Sequence, residues 1–148
     1  MLTKKGKYGL KAAVHLARLP PGGSIQVAEI AEANNIPKKF LDVILNDLRN
    51  AGFLASKKGK FGGYRLGKPA EEIIVGEMIR ALDGPLAPFP CASRNAYVPC
   101  EDCDVAHCEV RRLMVRIRDA MGTVLDTYTL AEMRDLSEDQ MKTFVDYI

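Results

Sequence analysis

Residues 30–54, IAEANNIPKKFLDVILNDLRNAGFL, decide the fold of this chain. A helix is predicted over 37–50, because Pro37 suits a first helical turn and Gly52 suits the position just past a helix end. Its apolar stripe is formed by Phe40, Leu41, Ile44, Leu45 and Leu48. A shorter helix is predicted over 27–33, and the tight NNIP turn between the two is typical of a helix-turn-helix.

The face opposite the stripe carries the residues expected to contact DNA. In a helix-turn-helix the second helix enters the major groove, where side chains meet base edges and phosphates. The outward residues are Lys38, Lys39, Asp42, Val43 and Asn46. Lys39 can donate to guanine, Asp42 can accept from cytosine and Asn46 can reach adenine. Val43 suits a thymine methyl group, and both Lys38 and Lys39 are predicted to bind phosphate.

A β-hairpin is predicted directly after this unit. Residues 53–57 and 64–66 favour strands, and the glycine-rich turn KGKFGG between them permits a tight reversal. Lys58 and Lys60 place positive charge at the tip, as in a wing that lies along a phosphate backbone or in a minor groove. An ordinary solvated hairpin is the alternative, but the position after a helix-turn-helix favours the wing.

The charge of the chain is divided between its halves. Residues 1–70 hold 13 Lys or Arg and 4 Asp or Glu, a charge of +9, and residues 71–148 hold 8 and 15, a charge of −7. A basic first half indicates a polyanionic partner. The 148 residues lack a long apolar run and a secretory signal, so we expect a cytoplasmic protein with one core and no membrane partner.

All four cysteines fall within residues 91–108, in the pattern C-x8-C-x2-C-x4-C. They are Cys91, Cys100, Cys103 and Cys108. In a reducing compartment such thiols bind metal more often than they form disulfides, and from the residues alone zinc and an iron–sulfur cluster are equally favoured.

A thiol–disulfide oxidoreductase is a weaker alternative for the C-x-x-C pair. The neighbouring Glu101, Asp102 and Asp104 raise thiol pKa values, and no βαβ unit surrounds the pair. The sequence contains no other catalytic constellation, so we do not predict an enzyme.

The remaining segments are predicted to be helical. A first helix covers 4–19, a fourth covers 74–82, and a helix of about 17 residues follows the cysteines, with a narrow apolar seam that favours a homodimer. Capping boxes begin at Thr129 and Ser137, and the second starts a terminal helix. The predicted fold is mainly α with a small β-hairpin wing. Its parts are a winged helix-turn-helix domain (1–84), a cysteine-rich loop (85–108), and a dimerisation helix with C-terminal helices (109–148).

Over about residues 1–135 the chain resembles the bacterial winged-helix regulators that include IscR, NsrR and RirA. The resemblance is carried by LTKKGKYGLKAAVHLA at 2–17, by the stretch at 30–54, by KGKFGGYRLGKPAEEIIVGEMIRALDG at 58–84, and by TLAEM at 129–133. It implies a homodimer that binds operator DNA. It also implies an iron–sulfur cluster held by three cysteines of the loop and a fourth ligand that varies among members.

The chain departs from that family at the fourth ligand. IscR-like members carry a histidine three residues after the cysteine that opens the long helix, and here that residue is Arg111. Other members supply a carboxylate just before the first-helix aromatic, where this chain has Lys7 beside Tyr8. The chain has an additional cysteine, in the Cys100-x-x-Cys103 pair, so all four thiols can complete the ligation of a cluster, 2Fe-2S before 4Fe-4S. Alternatively one thiol of this pair is spare, and zinc is the alternative metal. His107 adjoins Cys108 and is not expected to be a ligand. The expected function is a repressor or activator whose operator affinity follows a cluster that senses iron, redox state or nitric oxide.

Overall fold

Residues 2–136 are described by a computed structural model of the chain, and within them the fold consists of helices and one hairpin. The helices are α1 (Lys4–Ala17), α2 (Val27–Asn34), α3 (Lys38–Asn50), α4 (Val75–Asp83), α5 (Glu109–Leu125) and α6 (Leu130–Arg134). The strands are β1 (Leu54–Lys57) and β2 (Gly63–Leu66), and short 3₁₀ turns span Ala70–Glu72 and Pro90–Ala92. The capping box predicted at Ser137 and the helix it starts lie outside the described residues.

The helix-turn-helix is formed by α2 and α3, as predicted. Asn35 ends α2 in the left-handed region at φ 52°, Pro37 directly precedes α3, and Gly52 follows it at φ 86°. Four stripe residues are buried in the core, namely Leu41, Ile44, Leu45 and Leu48. Phe40 was wrongly assigned to this stripe, since it is 49% exposed, and its ring lies nearly perpendicular to that of Tyr8 with the centroids 6.0 Å apart. It lies about a quarter turn round the helix from the buried four.

The hairpin is attached to the helical core at its base. β1 and β2 pair antiparallel, with Leu54 opposite Leu66 and Lys57 opposite Gly63. Leu54 is buried, whereas the tip of the hairpin is exposed. Together with α2 and α3 this hairpin completes a winged helix, which confirms the predicted fold class.

The core is built around α1, which contributes Ala12, Ala13 and Leu16. Gly9 brings α1 against α4, because a Cβ at this position would collide with the Leu82 side chain. The small residues on α1 thus let neighbouring helices approach closely.

After the cysteine loop the chain leaves this core and then returns to it. No residue of α5 is buried. Beyond α5, Val75 N donates to Tyr128 O over 2.9 Å and Leu130 N donates to Ile73 O over 2.8 Å. Leu130 and Ala131 are buried in the same cluster as α1. The first residues of α6 therefore pack with the winged helix, although they follow α5 in sequence.

Candidate DNA-binding face and cysteine loop

The outward face of α3 is accessible along its length. Lys38, Lys39 and Val43 are exposed, and Asp42 and Asn46 are partly exposed. The structure therefore places these five residues on the side of α3 away from the core. Their contacts with DNA stay a prediction.

Two polar side chains on this face have partners within the protein. Lys38 Nζ lies 3.1 Å from Asp42 Oδ2. Arg49 donates to Asn46 Oδ1 through Nη2 and to Ser56 Oγ through Nη1, the latter over 3.2 Å. Sequence reasoning missed Arg49, which connects the face of α3 to the first strand of the wing. The signal available was an arginine three residues after Asn46 on the same helix face.

The wing tip carries the predicted cations without internal ion pairs. Lys58 and Lys60 are exposed, and neither forms a salt bridge among the described residues. By contrast, Lys5 of α1 lies 2.7 Å from Asp47 and Lys11 donates to Asn34 O over 2.8 Å. The wing lysines thus have the greater freedom to bind phosphate.

The four cysteines lie on different local structures of one loop. Cys91 is in the 3₁₀ turn Pro90–Ala92 and is 5% exposed, whereas Cys100, Cys103 and Cys108 are partly exposed. Cys108 is the N-cap of α5, where its Sγ accepts from Arg111 N over 3.4 Å. All four are free thiols.

The thiols are neighbours in the order Cys91, Cys100, Cys103, Cys108. The hydrogen bond with Cys100, together with burial, raises the pKa of Cys91. For Cys100 the bond with Cys91 lowers the pKa, but the bond with Cys103, burial and nearby negative charge outweigh it and raise the pKa. For Cys103 the bond with Cys100 lowers the pKa, while burial and the bond with Cys108 raise it overall. Raised thiol pKa values disfavour a nucleophile, and a bound metal reverses them by stabilising thiolates.

The donor set suits a metal that prefers sulfur. Ligand atoms of Cys100, Asp102 and Cys103 all lie within 4.8 Å of one another, and within residues 2–136 this group does not include the sulfurs of Cys91 and Cys108. One zinc ion with sulfur ligands at about 2.3 Å would draw four sulfurs into a single shell. Sequence reasoning treated Asp102 only as a charge and did not predict that its carboxylate lies beside the thiols of Cys100 and Cys103.

Arginines of α5 hold the turn that carries Cys91. Arg111 Nε donates to Cys91 O over 2.9 Å, and its guanidinium lies 6.0 Å from the Tyr97 ring. Arg118 donates to Ala92 O. Arg111, which stands where IscR-like members have a histidine, therefore contacts the main chain of a predicted ligand. The first turn and the middle of α5 are thereby each joined to the cysteine loop.

A second connection joins α5 to α4. Arg80 donates to both carboxylate oxygens of Asp126, over 2.6 and 2.9 Å. This hydrogen bonding lowers the pKa of Asp126, with burial opposing and the charge of Arg80 assisting. The helix α5 is thus bound both to the cysteine loop, through Arg111 and Arg118, and to α4, through Asp126 at its C-terminal end.

Comparison with known proteins agrees with this geometry. The model of the Rrf2 family, described as an iron-dependent transcriptional regulator, matches residues 2–135. The chain belongs to the Rrf2 family. An Rrf2-like HTH-type transcriptional regulator of Rhodobacter capsulatus is 42% identical over 137 residues, which cover 90% of this chain and 91% of the relative. The regulator CymR of Bacillus subtilis is 34% identical over 147 residues, which cover 99% of each chain.

Solved structures of Rrf2 regulators share the fold. CymR of B. subtilis, described as its global cysteine regulator, matches with a TM-score of 0.76 at 35% identity, over 93% of this chain and 98% of that one. IscR of T. potens matches with a TM-score of 0.72 at 29% identity, over 100% and 96% of the two chains. This Rrf2 protein is therefore a transcriptional regulator and not an enzyme, which sets aside the oxidoreductase alternative. Within residues 2–136, the helices are too short or too polar to span a bilayer.

Proposed function

We propose that this Rrf2 protein binds double-stranded operator DNA as a homodimer, with an affinity that depends on an iron–sulfur cluster held by four cysteines. These are Cys91, Cys100, Cys103 and Cys108. The observation that carries the proposal is that all four thiols lie in one loop, between α4 of the winged helix and the start of α5, where ligand atoms of Cys100, Asp102 and Cys103 come within 4.8 Å of one another. When bound, the cluster would supply a centre that changes with oxygen, nitric oxide or iron supply. A repressor is the simplest form of this regulation.

The homodimer is supported by the apolar seam of α5. Its members are 37–61% exposed in the single chain, and they are Val110, Leu113, Ile117 and Val124. Helical periodicity puts the four on one side of α5, with Arg111 and Arg118 on another side, where they contact the cysteine loop. A second copy of α5 would cover this seam, and a two-fold dimer matches a palindromic operator.

Phosphate binding by lysines would supply most of the affinity. Lys38 on α3 and Lys58 and Lys60 on the wing are exposed cations on the domain that carries the +9 charge. Each phosphate neutralised releases counterions, which makes binding strongly dependent on salt. Base edges would be read by Lys39, Asp42, Val43 and Asn46 of α3, with Asn46 oriented by Arg49.

Cluster binding would be coupled to DNA binding through the cysteine loop, which connects α4 to α5. We propose a division into a DNA-binding domain over 1–84, a cluster loop over 85–108 and a dimerisation segment from 109, with α6 packed back on the first domain. Ligation of the thiols would fix the turn that Arg111 and Arg118 hold, and with it the angle between α4 and α5. Half-sites lie about 34 Å apart, so a small rotation of each domain changes the fit to DNA.

The cluster is tested by anaerobic purification, followed by an absorption spectrum and assays of iron, sulfide and zinc. We expect a brown protein with matching iron and sulfide, and operator affinity that changes after chelation. Serine variants of each cysteine should lose iron, whereas His107→Ala, which alters the exposed neighbour of Cys108, should retain it. A colourless protein with one zinc per chain would favour the zinc alternative. Unchanged operator affinity after chelation would remove the switch and leave DNA binding intact.

The DNA interface is tested by the salt dependence of binding. Lys58→Ala with Lys60→Ala should weaken binding to all sequences and lower the slope of log K against log salt by about 0.9 for each lost phosphate contact. Arg112→Ala, an exposed cation of α5, is the matched control and should leave the slope unchanged. A loss confined to one DNA sequence would contradict the assignment of these lysines to phosphate.

A further inference from the structure

We propose that Phe61, at the tip of the wing, inserts between two base pairs from the minor groove and kinks the operator DNA. This inference rests on the proposed DNA-binding function and adds a deformation of the DNA to it. Phe61 is 84% exposed, more than any other large hydrophobic residue reported within residues 2–136. Single exposed apolar residues are common on protein surfaces. The inference therefore depends on how the protein holds this residue and what surrounds it.

The backbone at the tip turns so that Phe61 points away from the protein. Gly62 N donates to Gly59 O over 3.0 Å, which places Lys60 and Phe61 at the two corners of a four-residue turn. A Cβ on Gly62 would collide with the main chain of Lys57, so glycine allows the turn to fold closely against β1. Corner side chains in such a turn project outward.

The turn is also fixed to the segment between α1 and α2. Gln26 Nε2 donates over 2.6 Å to the carbonyl of the residue that follows Phe61, and Ser24 Oγ lies 3.4 Å from Phe61 O. Ile25 and Tyr64 exchange two backbone hydrogen bonds of 2.8 and 3.0 Å. An exposed aromatic ring on an anchored backbone loses little conformational freedom on binding. This is the property required of a wedge.

The charges around the ring fit a minor groove. Lys58 and Lys60 are exposed beside Phe61, and Lys60 Nζ lies 5.8 Å from the ring centroid. Phosphates border a minor groove on both sides, so the lysines can contact the backbone while the ring reaches the bases. Apolar side chains that enter base steps this way kink the duplex by about 20–90°. Flexible pyrimidine–purine steps are the expected position.

The wing and the recognition helix belong to one face of the domain. Arg49 bridges Asn46 of α3 and Ser56 of β1, so both elements can contact the same duplex. With α3 in the major groove, the wing tip is available to the adjacent minor groove.

The experiment measures DNA bending by the full-length, anaerobically purified protein. The wild type first selects a site from a randomised duplex library, and that site is centred in fragments of about 150 bp, one persistence length of DNA. Fragment lengths are varied over one helical turn, and ligase-catalysed ring closure is measured at saturating protein. We expect the wild type to accelerate closure and Phe61→Ala to return it to the rate of free DNA. Phe61→Leu, which keeps an apolar wedge, should retain most of the acceleration.

Affinity and fold are measured in parallel. Phe61→Ala should raise Kd, because the variant loses the apolar contact that offsets the cost of unstacking a base step. Lys60→Ala should weaken binding but leave ring closure at saturation unchanged, and circular dichroism should match the wild type in every variant. If Phe61→Ala bends DNA as the wild type does, or if the wild type binds its site without bending it, the wedge is overturned and the DNA-binding function stands. If the wild type binds no duplex, both fail.

Discussion

The helices α3 and α5 are both amphipathic, but only α3 has its apolar face covered by its own chain. Four large apolar residues of α3 are buried, whereas none of the 17 residues of α5 is. The comparison teaches that apolar residues at helical spacing predict a face that needs a partner and do not specify which partner. For α3 the partner is the core around α1, and for α5 we propose a second copy of the chain.

The cysteine loop and the winged helix also differ in the kind of contact that holds them together. The winged helix is held by a contiguous apolar core, with a few polar bonds at its edges. The loop is held by arginine side chains that donate to main-chain oxygens and by contacts among its thiols. A region with so few buried apolar contacts can change with its ligand while the winged helix keeps its shape.

The largest expected effect is a difference between α3 and α5 in how much an apolar-to-alanine substitution lowers the free energy of unfolding. Leu45→Ala should lower the free energy of unfolding by about 2–5 kcal/mol, because Leu45 of α3 is fully buried. Leu113→Ala on α5 is the matched control. Its side chain is half exposed in the single chain, so in dilute protein this variant should lose less stability than Leu45→Ala. Urea unfolding at several protein concentrations checks both. An equal loss for the two variants in dilute protein would mean that α5 is also covered within one chain.

The second prediction tests the partner of α5. Ile117→Glu places a carboxylate in the seam, where an unpaired buried charge costs several kcal/mol, so the dimer Kd should rise by roughly 100-fold or more. Sedimentation equilibrium measures this, and circular dichroism should remain that of the wild type. Arg112→Glu, on α5 but outside the seam, should leave the dimer intact. Dissociation by both variants would place the interface elsewhere on α5.

The third prediction concerns the return of the chain to the core. Thr129 Oγ1 accepts from Glu132 N over 3.2 Å and caps α6. Thr129→Ala should therefore lower stability by about 1 kcal/mol, measured by thermal unfolding. Thr127→Ala, two residues earlier, removes the same atoms, but the lost hydroxyl bonds only to carbonyls within α5, so stability should change less. The reverse order would show that the Thr129 cap contributes little to stability.

The smallest expected effect concerns the ion pair between Arg80 of α4 and Asp126 at the end of α5. Arg80 holds the pKa of Asp126 below its ordinary value, so the pair stabilises the fold above that value and the contribution is lost as pH falls through the lowered pKa. Asp126→Asn should cost at most about 1 kcal/mol at neutral pH, after allowance for solvent screening of this partly exposed pair. Stability curves of wild type and variant should converge in acid. Parallel curves over the whole range would show that ionisation of Asp126 is not linked to folding.

Much of the fold followed from local chemistry, whereas the features that were missed depend on tertiary contacts. The limits of α3 were predicted because Pro37 and Gly52 act on their immediate neighbours. Phe40 was misplaced because an apolar residue at the margin of a stripe faces either the core or the surface, depending on what packs there. The links from Arg49 to Ser56 and from Arg111 to Cys91 were not predicted, since they depend on how separate segments approach each other.

The sequence by itself determined the order of the elements, the buried stripe of α3 and the confinement of all four thiols to one proline-rich loop. These depend on helix periodicity and turn chemistry, which act over a few residues. Only the tertiary structure decided that Leu130 joins the α1 core, that arginines of α5 hold the Cys91 turn and that the apolar seam of α5 remains uncovered. Such contacts join segments far apart in sequence, and their formation depends on the packing of the whole chain.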